Sequence, residues 1–241
     1  MTTMKMQYQN CGNHLYSGVK MTEEKIREQL EHKLLKLEAQ EACRNLMGRY
    51  SYYGTAFRNK ETVELWAKRE DAQLMTPWGS YDGHDGIKAC YLEDIGDRSD
   101  TRVFEAIKGA VIIHEIDTEV IEVAEDLQTA KAAFLSQGND TYVDRTENEK
   151  VHAKWVWEKY SVDFIMEDGE WKIWHMTIYP LFQSEFGEGW ADNTEFVSNA
   201  FEFPNAKPEK TDWHYDRNEL YPANEPAIPE PYKTYDKCSD E

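Results

Sequence analysis

The chain has 241 residues, with 46 acidic against 27 basic side chains and a formal charge of −19. That charge opposes binding to nucleic acid or to an anionic membrane surface, and leaves a small molecule or a protein as the expected partner. No stretch approaches the roughly 20 apolar residues of a membrane span, the opening MTTMKMQYQNCGNHLYSG lacks the apolar core of a signal peptide, and Cys11, Cys43, Cys90 and Cys238 stand singly, so a soluble, cytoplasmic protein with reduced thiols is expected.

Residues 1–21 are polar and read as a loose arm. From Thr22, the apolar positions Ile26, Leu30, Leu34, Leu37, Cys43, Leu46, Tyr50, Tyr53 and Phe57 recur mostly in steps of three or four, the period of an amphipathic helix, with Gly48 a point where it could bend. A short helix is expected over residues 60–68 with Asn59 as its N-cap. "AQLMTPWGSYDGHDGIKACYLEDIGD" then reads as a short strand, a Gly-rich turn and a third helix over about residues 84–95. Beyond it the period changes from 3.6 to 2. Residues 109–124 with 129–137 form one expected hairpin, and 151–167 with 170–182 another. Helices followed by long antiparallel strands make an α+β fold, one domain over 22–190. Residues 191–241 hold most of the prolines, which exclude helix interiors and central strands. An extended tail is expected there, its Tyr and Trp residues laid against a surface of this chain or of a neighbour.

The second hairpin carries most of the chemistry. Asp168-Gly169 is the dipeptide of a two-residue type I′ turn, and it predicts a register in which Glu167 meets Glu170, Phe164 meets Ile173, Val162 meets His175, Tyr160 meets Thr177 and Glu158 meets Tyr179. Strict alternation puts these on one face, with Trp155, Trp157, Lys159, Ser161, Asp163, Lys172, Trp174, Met176 and Ile178 on the other. The first face has the character of a pocket, because a histidine beside Glu and Tyr has a pKa tunable near neutrality, as proton transfer requires. The second, with Trp155, Trp157, Trp174 and Met176, is too apolar to leave in water and predicts a homodimer or higher homo-oligomer.

Other chemistries lack their signatures. "GSYDGHDG" has neither the GxGxxG order nor a P-loop lysine, so no nucleotide is expected. No HxH or HExxH occurs, and His114 with His175 would need a third ligand, so neither a metal nor another cofactor is expected.

Three blocks together resemble the SnoaL-like branch of the NTF2-like superfamily: "CRNLMGRYSYYGTAFRNKETVELWA", "PWGSYDGHDGIKACY", and the pair "VIIHEIDTEVIEVAEDLQTAKAAFLSQG" with "WVWEKYSVDFIMEDGEWKIWHMTIYPLF". The resemblance runs over about residues 37–190 and implies a cone of long, curved antiparallel strands wrapped around a long first helix, with two further helices and a deep pocket between helix and sheet. Its members include polyketide cyclases, scytalone dehydratase, bile acid 7α-dehydratase, ketosteroid isomerases and formaldehyde-releasing lyases, while others only bind or dimerise; fold alone therefore does not fix the reaction. In the dehydratases a helix Tyr, an acidic residue shortly after it and sheet histidines surround the substrate. Tyr50 and Tyr53 match the helix tyrosines, but the acidic position falls near Thr55 or Ala56, so that carboxylate is missing.

The resemblance implies a cofactor-free lyase or isomerase of a hydrophobic, ring-containing molecule. His175 is the expected acid or base, with Glu158 beside it. Tyr50 and Tyr53 would donate hydrogen bonds to substrate, and Trp78, Phe57, Tyr81, Tyr160 and Tyr179 would form the binding walls. Strict alternation groups His114 with Ile112 and Ile116, and a bend near Asp117-Thr118 could change that parity, so both a pocket position and a strand-end position stay open. Trp78 could stack on a flat substrate or plug the core. The alternative is a non-catalytic binding or assembly module on the same fold.

Overall fold

The computed structural model describes residues 22–145, 148–191, 203–211, 215–221 and 225–236; the expected arm over 1–21 lies outside them. Helix α1 runs over Glu23–Thr55, and α2 over Asn59–Val63. Strands β1 (Gln73–Thr76) and β2 (Gly79–Asp82) precede α3 (Gly83–Ala89), which runs on as a π-helical turn over Cys90–Gly96, and then α4 (Thr101–Ile107). Strands β3 (Val111–His114), β4 (Asp117–Val123), β5 (Thr129–Asp144), β6 (Lys150–Glu167) and β7 (Glu170–Glu185) complete the order. The chain separates into two compact units, the first ending at Leu35 and the second starting at Lys36. In the first, Thr22 Oγ1 accepts from Lys25 N at 3.3 Å, and Glu23 and Glu24 sit where the helix dipole favours negative charge.

The second unit is α+β: a curved, unclosed sheet in the order β2-β1-β7-β6-β5-β3, with β4 also on β5. The sheet is mixed where an antiparallel one was expected. β1 runs parallel to β7, Gln73 opposite His175 and Met75 opposite Thr177, and the two are separated in the chain by β2 to β6 instead of being joined by a hairpin. The expected first strand over 109–124 is divided into β3 and β4. Thr118 takes φ +49° and the register on β5 shifts between Asp117 and Val120, which is the bend anticipated there.

Two helix expectations change. Asn59 does not cap α2: it is the first helical residue, and its side chain donates to Gly96 O at 2.7 Å. The helix also stops early, because Ala67 N donates to Ile173 O (2.8 Å) and Ile173 N to Leu65 O (2.9 Å), which commits residues 65–67 to the edge of β7. α4 was not expected, so among the described residues three helices follow α1; its signal was Asp100, the N-cap whose carboxylate accepts from Arg102 N at 2.9 Å.

From Lys36 on, α1 turns Ala39, Cys43, Leu46 and Met47 into one apolar core with Trp66, Leu74, Tyr81 and Ile87 and the sheet residues Val123, Ala130, Phe134, Val162, Phe164, Ile173 and Met176. Gln40 Nε2 to Ile121 O (2.9 Å) and Arg44 Nε to Glu119 Oε1 (2.8 Å) fix the helix over β4. No helix among the described residues is long and apolar enough to cross a membrane.

Candidate active site

The type I′ turn forms as its dipeptide demands, with Asp168 at φ +52° and Gly169 at φ +83°. Glu167 meets Glu170 and Phe164 meets Ile173, as expected. Then β7 bulges at Trp174, and the pairing slips by one: His175 meets Asp163, Met176 meets Val162 and Ile178 meets Tyr160. The cause lies on the other edge of β7, where residues 65–67 hold Ile173 while β1 begins its pairing at His175. The slip moves His175, Thr177 and Tyr179 to the outer face and turns Met176 and Ile178 into the core. His175 is therefore not in the pocket. Its Nδ1 lies 2.9 Å from Asp163 Oδ2 and its Nε2 3.0 Å from Asp71 O, while Tyr235 from the C-terminal stretch donates to Asp163 at 2.7 Å. Trp174 stacks on the imidazole at 4.1 Å.

The tail thus lies on its own chain. Glu125 N and Asp126 N donate to Tyr232 O and Lys233 O, and Lys159 Nζ to Glu225 O. Of the residues expected to form a pairing surface, Met176 is in the core and Trp174 is buried beneath Tyr235. Trp155 and Trp157 do face outward, stacked on Phe186 and Phe182.

The pocket is elsewhere on the inner face. A cavity of about 180 Å³ opens between the end of α1, the π-helical turn and strands β3, β5, β6 and β7. Its walls are largely apolar: Phe57, Trp78, Ile95, Ile112, Val156 and Ile178. Into it project His114, Asp140, Glu158, Tyr50, Tyr91 and Tyr160. Of the ten residues singled out from sequence, His114, Tyr50, Glu158, Trp78, Phe57 and Tyr160 line this cavity; His175, Tyr53, Tyr81 and Tyr179 do not. Tyr53 lies under the Arg58 guanidinium, 4.8 Å from ring to cation, and Tyr81 is buried with its hydroxyl donating to Asp94 at 2.9 Å.

His114 is held by backbone and side chains together. Ser51 Oγ on α1 donates to its carbonyl at 2.6 Å. It pairs across the ladder with Gly138, and a Cβ there would lie 2.9 Å from Cε1 and Nδ1 of the imidazole. Only glycine leaves the ring that space. Two carboxylates flank it: Nε2 is 3.1 Å from Asp140 Oδ1, and Nδ1 is 3.2 Å from Glu158 Oε2. The second contact is an ion pair by distance, but it runs off the line of an N–H hydrogen bond, an alignment that active sites often complete only with substrate bound. Burial pulls the imidazole pKa down, yet the charge of Glu158 and the hydrogen bond to Asp140 outweigh it and carry it up to about 10. His114 is an imidazolium at neutral pH.

Tyrosines complete the polar side. Tyr160 donates to Glu158 Oε2 at 2.9 Å, and Tyr91 donates to the Tyr50 hydroxyl at 3.0 Å. Because Tyr50 accepts from Tyr91, its own proton is left for another acceptor. Burial pushes all three phenols up, and the charge of Glu158 adds to the rise at Tyr50 and Tyr160. They are neutral donors. Thr55, where the resemblance expects an acid, lines the cavity without one; the carboxylates come instead from the sheet, as Asp140 and Glu158. Asp140, Tyr91 and Gln183 were missed. Asp140 had a signal in "QGND", since a glycine inside a strand marks a close approach, here that of His114.

The model of the SnoaL-like domain matches residues 35–177, more than half of the chain, and the protein belongs to that family of the NTF2-like superfamily. No curated protein matches it significantly. Among solved structures it is similar to a putative scytalone dehydratase from Novosphingobium aromaticivorans, at 16% identity over 65% of this chain and 93% of that one, TM-score 0.49. It is likewise similar to an NTF2-like protein with a cystatin-like fold from the same organism (15% identity, 68% and 92% covered, TM-score 0.45) and to the hexachlorocyclohexane dehydrochlorinase LinA-type3 from Novosphingobium barchaimii (15%, 65% and 96%, TM-score 0.47).

Proposed function

We propose that the protein is a lyase or isomerase that moves protons with side chains alone, on a neutral molecule whose reacting part is a single ring. The observation that carries this reading is His114, set between Asp140 and Glu158 in a largely apolar cavity. The size follows from the volume, since about 180 Å³ is close to the roughly 150 Å³ of an engineered cavity that takes benzene. The charge follows from two carboxylates against one imidazolium, which repel an anion.

The geometry divides the roles. Both nitrogens of His114 face carboxylate oxygens, so the imidazolium is the acid and a carboxylate the base. In an elimination, the carboxylate of Glu158 or Asp140 takes a proton from a ring carbon, the C–H electron pair becomes the new double bond, and the neighbouring C–O bond breaks. The imidazolium gives its proton to the departing oxygen, which leaves as water, and the carboxylic acid returns its proton to His114 across the 3.1 or 3.2 Å contact. In an isomerisation, the same proton goes to a second carbon instead. Tyr50 donates to the carbonyl or hydroxyl that activates the C–H bond.

The test is a panel of neutral cyclic β-hydroxyketones and unsaturated cyclic ketones incubated with protein in D₂O, read by mass spectrometry for loss of water and for deuterium at carbon. Either is expected, and each should fall by about 10² to 10⁴ in His114→Gln, the usual contribution of positioned proton transfer. Binding without loss of water or uptake of deuterium would favour the non-catalytic module.

A further inference from the structure

One wall of the His114 cavity comes from outside the matched family domain, which ends at residue 177. Phe203 lines the cavity and stacks on Trp78, centroids 5.1 Å apart and planes 22° from parallel. The segment that carries it is fixed closely. Lys207 N and O bond with Ser80 O and N at 2.9 and 3.2 Å, Asn205 Nδ2 donates to Asp94 Oδ1 at 2.7 Å, and Thr211 Oγ1 donates to Ile178 O at 2.6 Å. Ile178 is itself a wall residue, so the same stretch touches the cavity lining at two places.

Gly79 makes this close docking possible. It has φ +148°, and a Cβ there would lie 2.6 Å from Lys207 O and 2.7 Å from Ala206 Cβ, well inside any tolerated contact. Unlike the residues around His114, Phe203 brings no proton-transfer group. What it contributes is volume: a phenyl ring occupying space that would otherwise extend the cavity past Trp78.

We propose that Phe203 sets the size limit of the substrate pocket, admitting one ring and excluding two. The proposal rests on the reading that the His114 cavity is the substrate site, and extends it to a specificity-determining residue in the C-terminal stretch. Removing the side chain leaves a void that a second ring can fill.

Calorimetric binding of phenol and of 2-naphthol separates this from the catalytic reading, because neither probe needs to react. The wild-type protein is expected to prefer phenol. Phe203→Ala should shift the ratio of the two dissociation constants toward 2-naphthol by about ten-fold or more, the usual effect of opening an apolar pocket by several carbon atoms. Gly79→Ala, which displaces residues 206 and 207 without altering the cavity's own side chains, should shift it in the same direction. Ile112→Trp, which fills the cavity, should abolish binding of both. A ratio within two-fold of wild type in a folded Phe203→Ala protein overturns the proposal, as does binding of neither probe by either protein. If the size preference shifts as expected while His114→Gln changes no reaction, the specificity role stands and the proton-transfer reading falls.

Discussion

Gly138→Ala is the sharpest probe of the site, because it leaves every polar group in place. The added methyl would lie 2.9 Å from Cε1 and Nδ1 of His114, where ordinary contacts begin at 3.4 Å, and 3.2 Å from the Ile113 carbonyl. The imidazole must therefore move by about half an ångström, the gap between overlap and contact. The backbone cannot take up the shift, since the His114 carbonyl is held by Ser51 and its strand by the β5 ladder. The ring then rotates away from contacts of 3.1 and 3.2 Å that fix it between Asp140 and Glu158. Misplacement on the ångström scale costs about 10² in rate, so a drop approaching that size is expected in the reaction found by the panel. A readout that needs no substrate is the titration of the His114 Cε1 proton by NMR. In the wild type it should titrate near about 10, and in Gly138→Ala lower, because the carboxylates that raise it are farther away while burial still lowers it. Stability should fall, with overpacking of roughly 1 to 3 kcal/mol only partly offset by the lower chain entropy of alanine in the unfolded state. An unchanged His114 titration in a folded Gly138→Ala protein would refute the claim that this glycine sets the imidazole's position.

The raised His114 pKa also predicts a pH dependence of stability: the folded value exceeds the unfolded one, so the contribution is complete below about 6.5 and is lost as pH rises toward about 10. The melting temperature should fall over that window, and less so in His114→Gln. Glu158→Gln should lower the His114 titration and slow turnover by about 10² or more, measured on the same substrate. Benzyl alcohol should bind where benzoate does not at neutral pH, a difference readable by calorimetry; equal binding would remove the charge argument. His175→Ala should leave turnover within about two-fold while costing about 1 kcal/mol, because Asp163 is half-buried and keeps its hydrogen bond from Tyr235. Thermal melts and turnover together check it.

Sequence carried the α+β architecture, the long first helix and the two long hairpin strands, because each rests on a local period. The Asp168-Gly169 turn also fixed the register as far as Ile173. What it could not carry was the bulge at Trp174, which is set by residues 65–67 and β1 acting on the far edge of β7, a hundred residues away in the chain. One slipped residue was enough to place the wrong histidine in the pocket. α2 was misjudged for the same reason: residues 65–67 gain more from pairing with Ile173 than from another helical turn. The acidic partner that the family resemblance seeks on the first helix comes from β5 and β6, where "QGND" and "VWEKY" carry it without a motif to mark it.

Strand β7 holds a second extra residue, Leu181, between Pro180 opposite Glu158 and Phe182 opposite Trp157. The two insertions act like a pair of compensating frameshifts. Residues 175–180 are read in one phase, and the strand on either side of them in the other. That phase depends on Trp174 staying outside the ladder. Were Trp174 drawn into the ladder opposite Asp163, Met176 and Ile178 would turn out to solvent and His175, Thr177 and Tyr179 would turn inward all at once, whereas deleting Trp174 would keep their present partners. The two histidines, His114 and His175, are in that sense held on opposite faces by the unpaired Trp174.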